Sequence, residues 1–128
     1  MDGFIVSQSR DSDRIMWYHV ATGVEIDIDG GELRRQLAER IVAELESLSK
    51  QAVDLLESFM KDRGEFVLAS VEVLPTKSED GSDFSLRYHF TADRDPHEYG
   101  YTYFDVYFSH HEPPARPFWP HKFTVGFH

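Results

Sequence analysis

The sequence predicts an α+β domain: an N-terminal β-hairpin region, a long or kinked helical segment, then a four-stranded antiparallel sheet packed on the helix. Three observations carry that prediction. Apolar and acidic residues alternate over 24–29, apolar residues then recur at spacings of three and four, and β-prone runs separated by polar turns follow. The 128 residues fit one domain, 1–128.

Phe4-Ile5-Val6 is a short apolar run that reads as an edge strand, and Ser7 to Arg14 is polar and turn-rich. Ile15 to Val20 is β-prone. Thr22-Gly23 supplies a turn, and Val24, Ile26 and Ile28 then alternate with Glu25, Asp27 and Asp29. Residues 15–29 therefore read as a hairpin with one buried face, ended by Asp29-Gly30-Gly31. From Glu32 the period changes. Leu33, Leu37, Ile41, Leu45, Leu48, Ala52, Leu56 and Phe59 form one apolar stripe. Glu32 suits the positive end of the helix dipole, Lys61 and Arg63 the negative end, and Gly64 a stop. An unbroken helix over 32–62 would be about 46 Å long at 1.5 Å per residue. That length favours a bend or a split, and Ser47 and Ser49 mark the expected weak point.

Four strands are expected next, at Phe66 to Leu74, Asp83 to Thr91, Tyr99 to Ser109 and His121 to Phe127. Short connections argue for an antiparallel meander. The last connection holds Pro113, Pro114, Pro117 and Pro120, and is expected to fold Phe118 and Trp119 onto the edge of the core. Strand parity places Phe84, Leu86, Tyr88 and Phe90 on one face, with Phe104, Val106, Phe108, Phe123, Val125 and Phe127. The helical stripe is the expected cover for all of them.

Composition narrows function. Thirteen basic against 23 acidic residues give a net charge of −10, which repels a phosphate backbone and an anionic membrane and attracts a basic protein partner or a cation. Without cysteine there is no disulfide, Cys-ligated metal or thiol nucleophile. The start has no signal-like apolar run and no segment has membrane-spanning length, so the expectation is a cytoplasmic protein. His110-His111-Glu112 and the run from Asp93 to Glu98 are rich in ligand types. The first places adjacent side chains on opposite faces, and the second fails the calcium-loop pattern. No metal, cofactor or catalytic group is assigned, and no nucleophile elbow, phosphate loop or paired-carboxylate signature is present.

The opposite strand parity carries the candidate site. Arg87, His89, Tyr101, Tyr103, Asp105 and Tyr107 are expected on the outer face of the sheet, with Lys122 and Thr124 beside them. Tyr and Arg dominate binding hot spots because they bury much area at low entropic cost. The leading expectation is a non-catalytic protein-binding domain of an immunity-like or adaptor kind, recognising a basic protein, or self-associating through the tyrosine face. The alternative is a small-ligand-binding or enzymatic domain. A helix and four antiparallel strands can curl around a pocket, as in cystatin-like and nuclear-transport-factor-like folds. Asp105, His89 or Tyr103 would then reach inward, where an Asp-His-Tyr group could move protons.

Overall fold

The computed structural model describes residues 4–8, 15–20, 23–29, 32–112 and 116–127. The turn up to Arg14, Thr22, Gly30-Gly31, Pro113-Pro114, His128 and the side chains of Glu32 and Leu33 lie outside the described residues.

The strands are β1 (Phe4–Gln8), β2 (Ile15–His19), β3 (Glu25–Ile28), β4 (Gly64–Val73), β5 (Phe84–Ala92), β6 (Thr102–His110) and β7 (Phe118–Phe127). Between β3 and β4 lie two helices, α1 (Glu32–Ala43) and α2 (Leu45–Glu57). The expected segments therefore exist, with shifted ends. Their assembly differs from the expectation. The N-terminal hairpin is not a separate region, and the sheet is not four-stranded. All seven strands form one sheet in the order β1-β2-β3-β4-β5-β6-β7.

The joint is a parallel pairing of β3 with β4, which sets Ile26 against Val71 and Ile28 against Val73. Asp29 N–H extends it to the Val73 carbonyl at 3.0 Å. Parallel neighbours need a crossover of a dozen or more residues, and the two helices supply it. Every other pairing is antiparallel. A crossover lies against one face of its sheet, so both helices cover the same side.

Under that cover, Ile15, Trp17, Ile26, Ile28, Val71, Val73, Phe84, Leu86, Tyr88, Val106 and Phe108 are buried together with Leu37, Ala38, Ile41, Leu48, Ala52 and Leu56 of the helices. In β4 the inward set runs Phe66, Leu68, Val71, Val73. A register shift between Leu68 and Ser70 accommodates the change of parity at Ala69. Phe84 stacks on Phe108 at 5.0 Å between centroids, and Phe66 meets Phe90 at 4.6 Å.

The helical break falls at Glu44 (φ −112°, ψ 14°), not at Ser47 or Ser49. Ser49 is instead an anchor, its Oγ lying 2.7 Å from the Tyr88 hydroxyl on β5. The break lets buried Leu37, Ala38 and Ile41 of α1, and Leu48, Ala52 and Leu56 of α2, each follow a twisted sheet.

Cover is incomplete at β7. Phe123 shares the inward face with Val106, yet Val125 is 45% exposed and Phe127 75%. Helix α2 ends at Glu57, and beyond it Phe59 packs tilted against Phe123, 5.2 Å between centroids. The last connection is likewise only half as expected. Phe118 and Trp119 belong to β7 and alternate across it, so Phe118 is buried and Trp119 exposed.

Candidate functional site

With both helices on one side, the opposite face of the sheet bears no helix among the described residues. The pairings arrange its side chains in rows. One row runs Met16, Asp27, Glu72, Ser85, Tyr107, Lys122 from β2 to β7. The next runs Tyr18, Glu25, Ser70, Arg87, Asp105, Thr124. A third holds Val67, His89, Tyr103 and Gly126.

Five of the six residues expected at the site meet on this face. Arg87 lies directly across from Asp105, and His89 from Tyr103. Tyr101 does not join them. It precedes β6, in the turn, and is largely exposed there.

The plate is internally locked. Arg87 Nε and Nη2 donate to the two carboxylate oxygens of Asp105 at 2.9 and 3.0 Å. Planar forks of this kind fix orientation as well as charge. The hydrogen bond to Asp105 is the largest cause holding the Arg87 guanidinium more basic than usual. Its carbon sits 4.0 Å from the centroid of the Tyr103 ring. The same ring lies against Gly126, where a Cβ would come within 2.2 Å of Tyr103 Cζ. Lys122 stands 4.6 Å from the Tyr107 centroid and also pairs with Asp80. Tyr103 and Tyr107 are therefore half-buried on this face, each with a cation against its ring.

Comparison with family models finds no match, and no curated protein or solved structure matches the chain. The surface itself is the basis for any functional reading.

Next to the plate lies an acidic strip that the sequence reading missed. Asp27 of β3 stands directly opposite Glu72 of β4, and Glu25 lies one step along. These residues, with Met16, Ser85 and Arg87, line a shallow cleft of about 190 Å³. The alternation over 24–29 already placed Glu25 and Asp27 away from the core. What it lacked was their neighbour, because a parallel pairing across two helices leaves no local mark.

A larger groove of about 770 Å³ lies on the opposite side, lined by Phe4, Val24, Val42, Leu45, Phe66 and Leu68 among others. Asp105, His89 and Tyr103 do not line it. They point away from the helices, so no Asp-His-Tyr group reaches into a cavity between helix and sheet.

The histidine-rich segments settle into local bonding. Arg94 forks onto Glu98 at 2.9 Å, and the His97 N–H donates to Asp95. Ser82 Oγ lies 2.8 Å from His121 Nε2, but at 1% exposure Ser82 offers no nucleophile to a substrate. Among the described residues no group of three or more His, Asp or Glu could hold a metal ion, and no helix is long and apolar enough to cross a membrane.

Proposed function

We propose that this chain is a non-catalytic binding domain whose uncovered sheet face recognises a protein with a basic surface. The observation that carries the reading is the pairing of two unlike halves on that one face. An acidic strip of Glu25, Asp27 and Glu72 adjoins a locked plate of Arg87, Tyr103, Asp105 and Tyr107. The strip's three carboxylates, on a chain of net charge −10, would attract and orient a cationic partner surface. The plate supplies aromatic area restrained by the Arg87, Lys122 and Gly126 contacts, which lowers the entropic cost of association.

Two variants test it in pull-downs from lysate at low salt and again at high salt. Glu72→Lys reverses one charge of the strip, and Tyr103→Ala removes the centre of the plate. A true partner is retained by the wild type, released by salt, and bound about tenfold more weakly by Glu72→Lys. A set of retained proteins identical for the wild type and both variants would remove the reading.

A further inference from the structure

The outer edge of β7, which pairs with no strand among the described residues, carries an inference independent of the sheet face. A strand at the end of a sheet exposes a row of unpaired backbone donors and acceptors, and folds usually guard such rows with proline, lysine or a bulge. In β7 all three guards fall in the first half: Pro120, Lys122, and a register shift against β6 between Tyr107 and Phe108. Residues 123–127 have none. That segment pairs regularly with β6 from Thr102 to Val106, and it leaves Val125 45% and Phe127 75% exposed, with Phe59, 66% exposed, against Phe123.

We infer that residues 123–127 form a two-fold, antiparallel β7–β7 contact between two copies of this chain. Three features select a second copy as the occupant. The first is spacing: setting Val125 opposite its own mate puts each Phe123 opposite a Phe127 and keeps all six side chains on the helical side. The second is charge. The chain carries 23 acidic side chains and a net charge of −10, yet residues 118–127 contain none and 123–127 have no ionisable side chain at all, so the copies meet along a neutral strip of an acidic molecule. The third is closure. Pairing β7 with the other edge, β1, would be head-to-tail and open-ended, whereas β7 with β7 closes at two.

Sedimentation equilibrium of the full chain across roughly 1–500 µM tests the contact. The expected result is a rise in mass from 14.9 kDa toward twice that value. Val125→Lys and Phe127→Lys each place a charge at an exposed position and are expected to weaken the dimer at least tenfold while keeping the wild-type circular dichroism spectrum. Amide exchange over 123–127 should slow as wild-type concentration rises. A monomer at every concentration overturns the inference. So does a dimer that survives both lysine variants, or one that Val6→Lys on β1 dissolves instead.

Discussion

At the scale of single residues, three positions set much of the molecule's chemistry. Gly126 is required by its neighbour: any Cβ there would strike the Tyr103 ring. Gly126→Ala is expected to lower stability by about 1–3 kcal/mol and to lift Tyr103 off the sheet, read as a drop in melting temperature with a changed near-ultraviolet tyrosine signal. Asp83, 2% exposed, ties three elements together. It accepts from Arg34 of α1 at 3.0 Å, from Lys77 at 2.6 Å and from the His110 N–H of β6 at 2.7 Å. Burial alone would push its carboxyl up, but the hydrogen bonds from Lys77, His110 and Arg34 outweigh it and hold the group below its ordinary value. His110 lies 3.0 Å from Arg40 Nη1 through Nε2, and burial followed by the Arg40 charge holds its imidazole low.

The pH dependence follows from these directions. Both groups give up protons more readily in the folded chain, so the unfolded chain gains protons first as pH falls. The His110 contribution is complete above about pH 6.5 and declines below it; the Asp83 contribution is complete above about pH 4 and declines below that. In urea titrations across pH, His110→Gln should flatten the limb below pH 6.5, about the ordinary value of histidine, while keeping an acceptor for Arg40. Asp83→Asn should cost about 3 kcal/mol at neutral pH and flatten the acid limb. None of this network was legible in the sequence. Only Lys77 is near Asp83 in the chain; Arg34 and His110 are distant, and their convergence depends on how α1 lies over the ends of β5 and β6.

Among the elements, strands and helices were legible because their signals are local. The period-two alternation over 24–29 and the three-four stripe from Leu37 to Leu56 mark segments that the structure keeps, as β3 and as α1 with α2. The inner row of Phe84, Leu86, Tyr88 and Phe90 was legible for the same reason. The break at Glu44 was not, since Glu44 is an ordinary helix former and the bend answers to the sheet beneath. Ser49 looked like a weak point because serine competes for backbone hydrogen bonds, but its hydroxyl meets Tyr88. That contact joins α2 to β5, and burial pushes the Tyr88 phenol up to about 12. Ser49→Ala is expected to cost about 1 kcal/mol in chemical denaturation, because it leaves the buried Tyr88 hydroxyl only the long 3.5 Å contact to the residue 49 carbonyl.

For the whole molecule, the parallel β3–β4 joint decides what the uncovered face of the sheet carries. It merges the N-terminal hairpin with the C-terminal meander, places both helices on one side, and leaves the other side as a continuous face. The tyrosine half of that face was legible from parity within β5 and β6. The acidic half was not, because it exists only once β3 and β4 are neighbours. Tyr101 fell outside because strand parity was extended one residue beyond the start of β6 at Thr102.

The absence of native cysteine makes a direct measurement available: maleimide labelling of single cysteines in the native protein. His89→Cys and Glu72→Cys, on opposite halves of the uncovered face, should react at close to the rate of a free thiol, while Leu86→Cys and Val106→Cys should react only after unfolding. Slow labelling at positions 72 and 89, with fast labelling at 86 and 106, would contradict the account.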